Sequence, residues 1–276
     1  MSYTKLADGS RMYFIEKGDG PVIVFVHGFL GSSWLFEAQV DYFANKGYHP
    51  IAFDLKGHGR SDRSKTARYL LPEFAQELDY ALNQIIGRKK ITLLGHSMGG
   101  MIALCYATDP RLSTRLDGLI LEATAPKLAN PILDQYIEGM RSGALKVSDR
   151  STIENVMVML CFNKAYQDSH PDVVKEFVNR TITNENYVAL ATMEAIVRHF
   201  DVTDKLSHIT VPTLVLHGEN DIFIPPASGK VLAKAIPHAE LVFFKGPIGH
   251  MLQFECTDAY HGAIEKYLRR SVGKTA

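Results

Sequence analysis

The segment with the clearest chemical potential is Gly95-x-Ser97-x-Gly99, in which glycines flank a serine on both sides. An apolar, strand-like run that begins at Ile91 ends here, and a helix-like pattern begins at Met98. A serine on a sharp strand-to-helix turn has a strained backbone, and the glycines let neighbouring main chain approach without a Cβ clash. The pattern predicts that Ser97 is a nucleophile. A βα turn that only binds an anion is the alternative interpretation.

A serine hydroxyl attacks a carbonyl carbon only if a base removes its proton, and that base needs an acid to orient it. Asp221 and His250 each lie in a loop that directly follows an apolar run. We predict that His250 is the base and Asp221 the orienting acid, because such loops can meet at one edge of a parallel sheet. Glu122, at the end of another run, is the competing acid. A turn aspartate and a surface histidine are the non-catalytic alternatives for Asp221 and His250.

Acyl transfer also needs hydrogen-bond donors for the negatively charged oxygen of the tetrahedral intermediate. The run at residues 22–26 ends in a loop that contains Gly28 and Gly31. We predict that the backbone amides of Phe29, in this loop, and of Met98 form the oxyanion hole. His27 and His96 are expected to be structural residues, hydrogen-bonded within their tight turns.

These residues must be positioned by an α/β fold, because apolar strand-like runs alternate with amphipathic helical patterns. The expected architecture is a mostly parallel central sheet flanked by helices. Between residues 126 and 199 only helical stripes occur. We therefore predict a core of residues 1–125 and 200–276, and a helical cap, or lid, of residues 126–199 over the carboxyl ends of the strands. The apolar runs are residues 22–26, 50–53, 91–95, 116–121, 211–216 and 240–244.

Composition excludes several function classes. Lys+Arg and Asp+Glu both number 30, which gives no reason to expect a nucleic acid or an anionic membrane as partner. Three cysteines without metal-ligand spacing favour a reducing compartment, and no signal peptide or membrane-spanning run is visible, so we expect a cytoplasmic protein. No metal-binding, dinucleotide or P-loop pattern occurs, and no cofactor or metal is expected. A monomer or a homodimer is compatible with the sequence.

The motifs together resemble the α/β-hydrolase superfamily, in its serine esterase and lactonase branch with a helical cap. The resemblance covers residues 21–268 and rests on His27-Gly28, the segment 54–62, Gly95-x-Ser97-x-Gly99, and the loops of Asp221 and His250. It implies hydrolysis of a carboxylic ester, thioester or lactone through an acyl-enzyme. Epoxide hydrolases and dehalogenases of this superfamily carry aspartate where this chain has Ser97, which argues against their chemistry.

The substrate is expected to be a small, largely apolar molecule. Methionine adapts to irregular apolar shapes, so Met157, Met193 and Met251, with Leu30, are candidate pocket residues, although core filling explains them equally well. The same triad also serves acyl-homoserine-lactone and enol-lactone hydrolases, carbon–carbon bond hydrolases and cofactor-free peroxidases. A ligand-binding protein with vestigial turnover is a further alternative.

Overall fold

A computed structural model describes residues 2–128 and 131–271. Its strands form one eight-stranded sheet in the order β1-β2-β4-β3-β5-β6-β7-β8. The pairs β1–β2 and β2–β4 are antiparallel, and the pairs from β4 to β8 are parallel. The α/β fold with a mostly parallel sheet is thereby confirmed. The strands are β1 (Ser2–Lys5), β2 (Arg11–Glu16), β3 (Val22–Val26), β4 (His49–Phe53), β5 (Ile91–His96), β6 (Leu116–Glu122), β7 (Thr213–Gly218) and β8 (Ala239–Phe244).

The burial of the central strands explains why their sequences are mostly apolar. Every residue of β3, β4 and β5 is buried, because helices cover both faces of the sheet and leave no solvent-facing side for polar residues. Strand β8, at the edge of the sheet, is mostly half-buried and mixes polar with apolar residues. The apolar runs in the sequence therefore mark the middle of the sheet.

The helices pack on both faces of this sheet. Helix α2 has Pro72 in its first turn and ends at Gly87, whose φ of 61° suits a residue without a Cβ. None of the helices in the described residues is long and apolar enough to cross a membrane. The α-helices are α1 (Glu37–Asn45), α2 (Leu71–Ile86), α3 (Met98–Thr108), α4 (Pro131–Ser142), α5 (Arg150–Thr152), α6 (Val158–Cys161), α7 (Lys164–Ser169), α8 (Pro171–Thr181), α9 (Asn186–Glu194), α10 (Pro226–Ala235), α11 (Leu252–Glu255) and α12 (Thr257–Ser271).

The segment between β6 and β7 carries helices α4 to α9. Two π-helical turns, Ile153–Met157 and Ala195–His199, interrupt it where the sequence predicts regular apolar stripes. A π-helical turn adds a residue to the repeat, so it rotates the buried side of a helix partway along its length. The apolar residues in and beside both turns, such as Ile153, Met157, Met193 and Ile196, are still buried. The boundary between core and cap stays a prediction.

Candidate active site

Ser97 lies on the strained turn that the sequence predicts. Its backbone has φ 55° and ψ −117°, a region that residues with a Cβ rarely adopt, and such a conformation costs about 1–2 kcal/mol. A Cβ on Gly95 would lie 2.1 Å from the carbonyl oxygen of Gly99, and one on Gly99 would lie 2.1 Å from that of Val26. Only glycine fits at these two positions, because the main chain crosses itself so closely around the serine.

Hydrogen bonds to the main chain of Ser97 hold this turn in place. Its amide donates to the carbonyl of Glu122 over 2.8 Å, and its carbonyl accepts from the hydroxyl of Thr124 over 2.7 Å. Both partners lie at the end of the neighbouring strand β6. The main chain of Ser97 is thus held by the end of the adjacent strand as well as by its own helix.

Asp221 and His250, which are 29 positions apart in the chain, meet in the structure. Nδ1 of His250 lies 2.8 Å from Oδ2 of Asp221, and both side chains are almost fully buried. The other carboxylate oxygen of Asp221 accepts from the amides of Phe223 and Ile224, each over 2.9 Å. The carboxylate is therefore fixed from both sides. The bond at Nδ1 leaves Nε2 of His250 as the ring nitrogen for proton transfer.

The charges in this pair follow from burial and proximity. Burial raises the pKa of the Asp221 carboxyl, but His250 and His217 outweigh that effect, so its pKa lies well below the usual range. Burial lowers the pKa of His250, and the nearby Asp221 carboxylate offsets part of that fall, which leaves the pKa below its ordinary value. At neutral pH the pair is a carboxylate and a neutral imidazole, the state that a general base requires.

Glu122, the competing acid, is engaged elsewhere. It is fully buried, and its Oε2 accepts a 2.7 Å hydrogen bond from the hydroxyl of Tyr260. Its Oε1 lies 3.3 Å from Nδ1 of His96. The ring of His96 in turn lies 4.8 Å from the ring of His250, between centroids. The carboxylate of Glu122 thus reaches the ring next to the candidate base, whereas Asp221 contacts the base itself.

The loop after β3 lies close to Ser97, the candidate nucleophile. A Cβ on Gly28 would lie 3.1 Å from the Cβ of Ser97, so this loop passes directly beside the serine. Residues 28–31 form a tight turn closed by a 3.0 Å bond from the amide of Gly31 to the carbonyl of Gly28. The Phe29 amide is not used to close the turn. Met98 is the first residue of α3, where an amide has no partner within the helix.

His27 has the structural surroundings that the sequence predicts. Its Nε2 accepts a 3.0 Å hydrogen bond from the amide of Leu55, and its Nδ1 lies 2.8 Å from the carbonyl oxygen of Gly28. Burial lowers the pKa of His27 to about 4, so the ring stays neutral at ordinary pH. The side chain ties the loop after β3 to the chain after β4.

An apolar cavity of about 50 Å³ lies between the inserted helices and the loops of the core. Leu30, Met157 and Met193 line it, whereas Met251 is buried in the core and is not among the lining residues. Among the described residues that line the cavity, Lys146 is the one that carries a charge. The remaining residues that line the cavity are Phe29, Leu133, Tyr136, Met140, Leu145, Val147, Thr152, Ile153, Val156, Leu160 and Phe223.

The structure adds two residues that sequence reasoning missed. Phe223 lines the cavity, and its ring centroid lies 5.0 Å from that of His250. Its position two residues after Asp221 was the available signal. Glu255 accepts hydrogen bonds from the amide of Gly249, next to His250, and from the amide of Asn163 in the inserted segment. That contact spans 92 positions and leaves no trace in the local sequence.

The comparison with known families agrees with this geometry. The sequence model of the alpha/beta hydrolase fold matches residues 21–256, which is most of the chain. The chain therefore belongs to the alpha/beta hydrolase family, and the resemblance that the motifs carry is confirmed. The match spans the loops of Ser97, Asp221 and His250 as well as the inserted helices.

Similar proteins differ in their named activities. A 2-hydroxy-6-oxononadienedioate/2-hydroxy-6-oxononatrienedioate hydrolase of Burkholderia vietnamiensis is 30% identical over 94% of this chain and 91% of its own length. A proline iminopeptidase of Thermoplasma volcanium is 26% identical over 90% of this chain and 88% of its own. The structure of a thermophilic esterase from Thermogutta terrifontis is 25% identical, covers 98% of this chain and 99% of that one, and superposes with a TM-score of 0.88.

Proposed function

We propose that this chain is a serine hydrolase that cleaves carboxylic esters of small, largely apolar acids through an acyl-enzyme. The 2.8 Å contact between His250 and Asp221 is the observation that carries the proposal, together with the strained turn that holds Ser97 at φ 55°. A base that a buried carboxylate holds in place and a serine on a strained turn are two of the features that serine-based acyl transfer requires.

In the proposed mechanism, Nε2 of His250 takes the proton of Ser97 while Oγ attacks the carbonyl carbon of the substrate. The electron pair of the carbonyl moves to its oxygen, which accepts hydrogen bonds from the amides of Phe29 and Met98. The tetrahedral intermediate collapses, the alcohol leaves with the proton from His250, and an ester to Ser97 remains. Water then repeats the sequence with His250 as base and releases the acid.

The cavity supports the choice of an apolar acyl group. Its volume of about 50 Å³ and its lining, in which only Lys146 is charged, favour a short hydrocarbon chain over a charged one. Phe29 joins the cavity to the oxyanion turn, so an acyl chain inside it would extend from a carbonyl held near Ser97. Selectivity then depends on how many methylenes the cavity accommodates.

Hydrolysis of a carbon–carbon bond is the second candidate. The observation in its favour is the 30% identity, over 94% of this chain, with the Burkholderia vietnamiensis hydrolase named for a dioate. A substrate with two carboxylates needs cationic side chains, however, and the cavity supplies Lys146 alone. The apolar ester is therefore the better match to these residues.

Hydrolysis of p-nitrophenyl esters from acetate to octanoate tests the proposal, beside 2-hydroxy-6-oxononadienedioate as the competing substrate. We expect ester turnover that falls by about 10³-fold or more in Ser97→Ala, with a folded protein. Ser207→Ala, at an exposed serine of the core, is the matched control and should keep parental activity. Mass spectrometry of the intact protein during turnover should show an acyl adduct on Ser97. Cleavage of the dioate with no ester turnover would overturn the proposal.

A further inference from the structure

Leu30 occupies a backbone conformation that leucine rarely adopts. It is the third residue of the turn 28–31, and its φ is 59°. A positive φ at that position is what type II turns require, and glycine normally supplies it. This chain has leucine there, and the leucine side chain is buried and lines the apolar cavity. Something other than residue type must therefore hold the turn.

The side chain of Asn184 contacts this turn from the inserted segment. Its Nδ2 donates a 2.9 Å hydrogen bond to the carbonyl of Leu30 and a 2.8 Å hydrogen bond to the carbonyl of Thr181. Asn184 is 3% exposed, so the contact is shielded from water. It joins residues that are 154 positions apart and links the end of helix α8 to the residue after Phe29.

The orientation of the Asn184 amide group is fixed by the two hydrogen bonds that its Nδ2 donates. Both partners of Nδ2 are carbonyl oxygens, so the opposite orientation of the amide would place Oδ1 against two oxygens. Oδ1 itself is buried and has no hydrogen-bond partner within residues 2–128 and 131–271. Burying an unpaired acceptor is unfavourable. Asn184 nevertheless stays buried with Oδ1 unpaired and with both hydrogen bonds of Nδ2 formed.

We propose that Asn184 is a positioning residue, which keeps Leu30 in its left-handed conformation and thereby aims the Phe29 amide at the oxyanion. Phe29 and Leu30 share a peptide unit, so a change in φ of Leu30 turns the peptide plane next to the Phe29 amide. The inserted segment would then complete the oxyanion hole as well as cover it. This inference rests on the proposed acyl-transfer function of Ser97.

The test compares Asn184→Ala and Asn184→Asp with the parent. The aspartate keeps the shape of the side chain but places an oxygen against two carbonyls, so it separates packing from hydrogen bonding. We expect kcat for p-nitrophenyl acetate to fall by about tenfold to a hundredfold in both variants, with KM within about threefold. Asn186→Ala is the matched control, because the side-chain hydrogen bonds of Asn186 within the described residues join it to Met140 and Val147 of the same segment. It should keep parental kcat.

A second measurement does not depend on turnover. A fluorophosphonate forms a P–O bond with Ser97 as fluoride leaves and His250 takes the proton, and its transition state places negative charge in the oxyanion hole. We expect the second-order rate constant for this labelling to fall in Asn184→Ala by the same factor as kcat. In the Leu30→Gly background, Asn184→Ala should lower the labelling rate constant by about threefold or less, because glycine adopts a positive φ unaided.

The outcomes are separable. Equal losses in Asn184→Ala and Asn186→Ala, a rise in KM at constant kcat, or a loss that Leu30→Gly leaves unchanged would each overturn the role of Asn184. A parent that is labelled at Ser97 but hydrolyses no ester would contradict the proposed substrate and leave the labelling comparison intact. A parent that is not labelled at Ser97 would overturn both proposals.

Discussion

The hydroxyl of Tyr260 donates a 2.7 Å hydrogen bond to the carboxylate of Glu122, and both groups are completely buried. Burial beside a neutral donor explains how the Glu122 carboxylate can lie close to the candidate base without contacting it. Tyr260 lies on α12, so the last helix of the fold fixes the position of this acid. The contact separates the two acids that the sequence left in competition.

Replacing each acid by its amide should therefore give unequal losses. We expect Asp221→Asn to lower kcat/KM by about 10³-fold to 10⁴-fold, because an amide cannot hold His250 in the tautomer with a free Nε2. We expect Glu122→Gln to stay within about tenfold, since the Gln oxygen can still accept from Tyr260. Steady-state kinetics on two folded variants checks this. The reverse ranking would transfer the acid role to Glu122.

The strain at Ser97 predicts that glycine at this position gives a more stable protein than alanine does. Glycine accepts φ 55° and ψ −117° readily, whereas alanine keeps the Cβ that causes the strain. We expect the free energy of unfolding of Ser97→Gly to exceed that of Ser97→Ala by about 1 kcal/mol, with both variants inactive. Urea unfolding at equal m-values measures the difference. An alanine variant as stable as the glycine variant would show that the turn is unstrained.

The pH dependence of kcat/KM should report His250. Its pKa is lowered by burial, and the base must be neutral to act, so activity should persist below pH 6.5, the ordinary histidine pKa, before it falls as His250 is protonated. Removing the Asp221 charge removes the effect that raises this pKa. The residual activity of Asp221→Asn should therefore fall at still lower pH. An acid limb at or above pH 6.5 in the parent would contradict the burial of a neutral base.

Shortening the methionines that line the cavity should change acyl-chain preference. We expect Met157→Ala and Met193→Ala to favour longer esters by about 1–3 kcal/mol of discrimination, or roughly 10-fold to 200-fold, while acetate turnover stays within about tenfold. Met159→Ala is the control, because Met159 lies in the same segment but its side chain is 54% exposed. A chain-length series checks the profile. Unchanged profiles in both cavity variants would move substrate selection elsewhere, with Leu30 as the first position to examine.

The sequence predicts the sheet and the loops of the candidate site because each depends on local pattern. Apolar runs mark strands buried on both faces. The glycines of Gly95-x-Ser97-x-Gly99 mark a tight turn, because only residues without a Cβ fit where the main chain packs so closely. Loops after parallel strands lie at the same edge of the sheet, so the sequence alone predicts that Asp221 and His250 meet. The same argument left Glu122 in contention, since it also ends a strand at that edge.

The remaining parts depend on contacts between distant residues. The bond from Tyr260 to Glu122 spans 138 positions and the bond from Asn184 to Leu30 spans 154, and neither residue pair has a local signature. The π-helical turns escaped prediction because an inserted residue leaves the apolar composition of a stripe unchanged. Met251 is not among the residues that line the cavity, whereas Met157 and Met193 are, and no local feature of the sequence distinguishes the three methionines.

The two hydrogen bonds accepted by Glu255 bear on how such a chain can diversify. The core supplies the carboxylate, and the inserted segment supplies the main-chain amide of Asn163 instead of a side chain. Any residue except proline offers that amide, so substitutions in the segment leave this attachment intact. Mutation and recombination can therefore explore new substrates across the inserted helices while the histidine loop keeps its support. The inserted segment is thus tethered to the core through a main-chain amide, which side-chain substitution does not remove.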